Sequence, residues 1–177
     1  MAASTLEKDY YHLVIDKLKQ KHEKVNAEVV NLSVWEVQSH DRAKTLMFFK
    51  PYLSDKLDFV TIQLGENAFN IDTFKQDFIE LINYVKKFCP KAKILVIGDF
   101  WEYKDRDDQK KNAALACNVD YVSLEEIKDN QDYFAGMGTV VYDKEGKEHI
   151  IKHEGGARHP GDGGMNAIAG RIVEKLK

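Results

Sequence analysis

The sequence has 177 residues, 44% of them hydrophobic and 31% charged, which fits a soluble globular chain long enough to bury a core. Its net charge of −3 gives no electrostatic case for nucleic acid, and no Lys/Arg cluster is interleaved with aromatics. Cys89 and Cys117 make neither a disulfide framework nor a zinc spacing, and no apolar run reaches membrane-spanning length.

Taken in chain order, Ser4 and Glu7 have the Ser-x-x-Glu spacing of a capping box. Tyr10, Leu13, Val14 and Leu18 then recur at helical spacing, so residues 5–22 read as an amphipathic helix. Its basic run from Lys17 to Lys24 reads as a solvated helix face. The N-terminus lacks the charged-then-apolar pattern of a signal peptide, and the compartment cannot be read from the chain. Ala27–Leu32 is a β-branched run, read as a strand, and Asp41–Leu53 reads as a helix ending around Pro51.

Asp58–Leu64 is a nearly continuous apolar strand bounded by Gly65. Asp72–Phe88 follows as a long helix carrying Phe74, Phe78, Leu81, Ile82 and Val85, with Pro90 after its end. Lys93–Ile97 reads as a fully buried strand closed by Gly98, Asp107–Cys117 as a helix and Asp120–Leu124 as a strand. Residues 139–143 and 147–152 flank a Lys144-Glu145-Gly146 turn and read as a hairpin. The last helix runs from about Gly164 to Leu176. Alternating strands and helices with no linker or repeat predict one α/β domain over residues 1–177, built on a parallel sheet covered on both faces. A doubly wound sheet normally opens on a strand, whereas this chain opens on a helix.

Function in parallel sheets gathers in loops at the carboxyl ends of strands. Here those loops are Leu32–Trp35, Gly65–Asn67 and Gly98–Trp101, with His159–Asp162 ahead of the last helix. Asn67 offers an uncharged N–H pair suited to a developing oxyanion. His159 lies in a Gly/Pro-rich loop where an imidazole can stay accessible and titrate. Asp162 reads as the cap of the last helix.

In chain order the segments VVNLSVWEV, LDFVTIQLGENAFN and ARHPGDGGMNAIAGRI resemble three blocks of the SGNH/GDSL hydrolase superfamily. The resemblance implies a three-layer α/β/α sandwich with a flavodoxin-like sheet and serine-esterase chemistry on carboxylic esters, acylated carbohydrate among them. It implies Asn67 in the oxyanion hole and His159 as the base that takes a serine proton and returns it to the leaving alcohol. Three departures stand out. The opening strand and Gly-Asp-Ser-type turn with the nucleophile have no match, which places Met1 at an internal Met of the family pattern, and no other serine sits in a Gly-x-Ser elbow. Ser33 stands where the family has a Gly, so its backbone N–H would be the second oxyanion donor. Gly156 stands where the triad Asp falls, leaving Glu154 or a backbone carbonyl to orient His159 in a Ser–His dyad.

Such a chain is expected to be inactive, or nearly so, as an esterase. It needs no cofactor or metal, and its partners are a small-molecule ester and, through the gap left by the first strand of a 2-1-3-4-5 sheet, a second copy of itself. Glu66 borders the site as a substrate-binding residue. Trp35, Phe100 and Trp101 either stack on sugar rings beside it or pack in the core. Two rivals remain: a non-catalytic carbohydrate- or partner-binding domain of the same fold, and a flavodoxin-like nucleotide binder. The second is disfavoured because no Gly-rich phosphate loop follows any strand.

Overall fold

A computed structural model describes residues 2–101 and 103–176. Helix α1 spans Tyr10–Lys19, α2 Ser33–Val37 and α3 Arg42–Thr45. Strand β1 (Phe59–Ile62) leads into α4 (Phe74–Phe88), β2 (Lys93–Ile97) into α5 (Lys104–Ala116), and β3 (Asp120–Val122) into the short α6 (Glu125–Lys128). The hairpin strands β4 (Val140–Tyr142) and β5 (Glu148–Ile150) follow, then α7 (Glu154–Ala157) and α8 (Asp162–Lys175). The protein is therefore mixed α/β. Its contacts divide it into two compact units, one of residues 28–123 and one of residues 2–27 with 124–175.

The first unit holds a parallel sheet in the order β1-β2-β3, with Phe59 opposite Lys93 and Leu95 opposite Asp120. Parallel neighbours need a crossover, and α4 and α5 supply the two here. Lys93–Ile97 sits at the centre of this order, which is why the run KILVI is apolar almost throughout and buried from Ile94 onward. On α4, Phe74, Phe78, Leu81, Ile82 and Val85 are all buried, the face expected from a 3.6-residue period. Each such side chain contributes roughly 1.5–3 kcal/mol on leaving water. They join Trp35, Ile62, Leu64, Ile94, Val96 and Ala113 in one core.

Several local expectations are corrected. Residues 24–32 belong to no strand, and Val29 is exposed. A β-branched run becomes a strand when a neighbour takes its backbone hydrogen bonds, and among the described residues none does. The helix expected over 41–53 shortens to α3 and continues as 3₁₀ turns at Leu46–Phe48 and Lys50–Tyr52, consistent with Pro51 lacking the N–H a continuing helix needs. The loop expected at Leu32–Trp35 instead begins α2. Helix α5 starts at Lys104, three residues before the expected Asp107.

In the second unit, β4 and β5 pair antiparallel, as the Lys144-Glu145-Gly146 turn predicts, and α1 and α8 pack together. Helix α8 buries Met165, Ile168, Ala169 and Ile172. The capping box at Ser4 and Glu7 is not used. Asp9 caps α1 instead, accepting the His12 backbone N–H at 2.8 Å, and Ser4 turns to Asp162. Among the described residues no helix is long and apolar enough to cross a membrane.

Candidate functional site

In the sheet-bearing unit, Glu66, Asn67, Phe100 and Trp101 follow the ends of β1 and β2, whereas Ser33 and Trp35 lie on α2. Asn67 lies in the turn after β1, which Gly65 opens at φ +110°, a conformation that disfavours any residue with a Cβ. Phe74 closes over that turn: a Cβ on Gly65 would lie 2.5 Å from its ring Cζ. Asn67 itself is exposed.

The turn is bound by a residue the sequence reading did not single out. Glu36, on α2, is buried, and its carboxylate accepts the Gly65 N–H at 2.6 Å and the Asn67 Nδ2–H at 2.9 Å, with a longer 3.4 Å contact from the Asn67 backbone N–H. An Asn amide carries two N–H donors, so one remains beyond the bond to Glu36. The sequence signal for Glu36 is slight, a lone acid after a Trp that looks like one more surface charge.

Ser33 is placed less favourably for its expected role. It opens α2, and its backbone N–H donates to Asn31 Oδ1 at 2.9 Å. A backbone amide has a single hydrogen, and here it is already used. Trp35 corrects the sugar-stacking option. It is fully buried, with its ring edge-on to Phe74 and Phe78 at 5.7 and 5.6 Å, and the Arg42 guanidinium lies 5.0 Å from its centroid. Its indole N–H has no partner among the described residues. Arg42, also buried, donates to the Trp35 carbonyl, to Asn70 O and to Asp77, which ties α2 to the start of α4.

Phe100 is likewise buried, so the core option holds for it, whereas Trp101 is half-buried. Glu66 reaches from the β1 turn to the β2 turn and accepts the Phe100 N–H at 2.7 Å. Burial raises its carboxyl pKa, opposed by that hydrogen bond and by the Lys110 charge. Beside it Asp99 is fully buried and accepts from Arg106 Nε at 2.5 Å and Lys110 Nζ at 2.7 Å. Asp107 accepts both the Asp99 N–H and the Tyr121 hydroxyl. Burial and that bond to a carboxylate raise the Tyr121 pKa, so its O–H stays protonated as a donor.

In the other unit, His159 stands in the loop before α8 and is exposed. The loop is fixed by its backbone: His159 O accepts the Ala135 N–H, Gly161 N–H donates to Tyr133 O, and Pro160 bridges Phe134. Gly164 permits the approach, since a Cβ there would fall 2.4 Å from Tyr133 O. Partial desolvation of the imidazole lowers its pKa, which favours the neutral ring a general base requires. Gly156 lies within α7 and Glu154 at its start. Asp162 accepts from the Ser4 N–H, the Ser4 hydroxyl and Lys8 Nζ at 2.7–2.8 Å. Burial alone would raise its pKa, and these three donors bring it below the usual carboxylate value.

An open groove of about 550 Å³ runs between α1 and α8, lined by Lys17, Lys21, Gly170, Arg171 and Glu174, and holds none of the candidate residues. Among the described residues no cluster of His, Cys, Asp and Glu could hold a metal ion. No protein-family model matches the chain, and no curated protein matches it. What defines it at this point is its class, an α/β protein with a three-stranded parallel sheet and a carboxylate-bound Asn turn at the sheet's carboxyl end.

Proposed function

We propose that this chain is a serine-esterase scaffold of the SGNH type, a three-layer sandwich around a flavodoxin-like sheet, shaped for carboxylic esters such as acylated carbohydrate. Asn67 is its oxyanion donor and His159 its general base. The observation that carries this reading is the Asn67 amide in the turn after β1, with one N–H bonded to Glu36 and one remaining. A base with a lowered pKa at His159 supports it. With the Ser33 backbone N–H engaged by Asn31, the Asn67 amide is the one donor assigned to the oxyanion. With glycine at 156, His159 works as the base of a dyad.

None of the serines, at 4, 33, 39, 54 and 123, follows a strand in a Gly-x-Ser elbow, so the chain alone is expected to hydrolyse no ester. The experiment is hydrolysis of 4-nitrophenyl acetate by this chain, and by the chain together with any coding sequence that precedes Met1. Where such a segment supplies a serine nucleophile, that longer form is expected to turn over, to lose activity in His159→Ala, and to fall about 10²–10³-fold in Asn67→Ala. Turnover indifferent to both substitutions overturns the reading.

The second reading, a carbohydrate-binding domain without turnover, is favoured by the engaged Ser33 N–H, since a site with one oxyanion donor binds better than it catalyses. Sugar binding by the longer form without hydrolysis would select it.

A further inference from the structure

Glu36 is a buried carboxylate whose hydrogen bonds all go to one three-residue turn. Its partners, the Gly65 N–H, the Asn67 N–H and Asn67 Nδ2, lie 29 to 31 residues away in sequence, so the contact serves no local helix or cap. Two features fix where the carboxylate sits. Its neighbour Trp35 is locked in the core between Phe74 and Phe78, and Arg42 holds the Trp35 carbonyl while its guanidinium lies over the ring. The turn itself is pressed against the same Phe74 ring through Gly65. Carboxylate and turn are therefore registered on one rigid aromatic seat.

We infer that Glu36 is the positioning residue of the Asn67 amide. By accepting one Nδ2 hydrogen at 2.9 Å it fixes the rotation of the amide group and so the direction of the other hydrogen. By accepting the Gly65 N–H at 2.6 Å it holds the backbone that carries Asn67. An ionised carboxylate suits this task because it is acceptor-only at both oxygens and binds N–H donors more strongly than a neutral acceptor. A glutamine would turn an NH₂ group towards one of those donors. The role of the fixed hydrogen in catalysis rests on the esterase reading, whereas the orientation of the amide by Glu36 does not.

The test is solution NMR of the ¹⁵N-labelled chain, wild type and Glu36→Gln. In the wild type one Asn67 Nδ2 hydrogen is expected downfield of the free-amide position and protected from exchange. In Glu36→Gln that signal should return to the free position, and the Gly65 amide should exchange about ten- to a hundredfold faster. The Leu95 and Val96 amides of the central strand should keep their protection, which shows that the sheet is intact. Free-amide behaviour of Asn67 in the wild type overturns the inference without any variant, as does a folded Glu36→Gln with both signals unchanged. Where the longer form hydrolyses ester, Glu36→Gln should lower kcat with KM unchanged. The NMR changes without esterase activity would leave the positioning role standing and remove the esterase reading alone.

Discussion

Replacing Gly65 by alanine tests the geometry of the Asn67 turn through two costs that the structure lets one work out. Gly65 has φ +110°, outside the regions an L-residue prefers, and forcing alanine to a positive φ costs about 1–2 kcal/mol. The new Cβ would lie 2.5 Å from Phe74 Cζ, nearly an ångström inside ordinary contact. Phe74 has little room to yield, because its fully buried ring packs against Trp35 and Phe78. Overpacking of this kind costs about 1–3 kcal/mol. Together the two terms give about 2–5 kcal/mol, a large share of the roughly 5–15 kcal/mol that holds a typical domain folded. Both tryptophans, Trp35 and Trp101, lie in the same unit as Gly65, so urea unfolding followed by their fluorescence reports on it directly. With an m value of about 2 kcal/mol/M, the midpoint should fall by roughly 1–2.5 M. A Gly65→Ala protein within about 0.5 kcal/mol of wild type would show that the turn and the Phe74 ring are not locked together as described.

Asp99→Ala should cost about 3–5 kcal/mol, because it leaves Arg106 and the fully buried Lys110 without their carboxylate. Adding Lys110→Met should recover part of that loss in the same urea assay, and a double variant no more stable than Asp99→Ala would refute the pairing. His159 should titrate by NMR below the ordinary histidine value of about 6.5. Because its folded pKa is depressed, the unfolded chain takes the proton first. His159 therefore costs stability as pH falls below about 6.5, with the loss complete below the folded value; a midpoint at or above 6.5 refutes this. Among the described residues strand β1 has a neighbour on one side only, and such an edge is a template for pairing with another strand. Light scattering is expected to find a dimer, and a monomer at all concentrations would remove the expected pairing of copies.

The elements that proved legible in the sequence are those whose cause is local. Lys93–Ile97 is a strand of the expected extent because five consecutive residues suit a position with neighbours on both sides. Helix α4 was readable from Phe74, Phe78, Leu81, Ile82 and Val85, since their spacing alone defines a buried face. Asn67 and His159 could be named from their turn-forming neighbours, although nothing in a Gly-x-Asn or a His-Pro says what those side chains touch. Tertiary structure decided the rest, because the partners lie far apart in the chain. Ala27–Leu32 has the composition of a strand and is none, for pairing needs a second chain segment. Ser4 has the spacing of a cap and instead bonds Asp162, 158 residues away. Arg106 and Lys110 look like surface charges, yet both turn inward to Asp99, which brings a buried, charged face to α5 that hydrophobic periodicity cannot reveal. Glu36 is the sharpest case: one acid among 29 acidic residues, made distinct only when the fold brings the Gly65–Asn67 turn to its carboxylate.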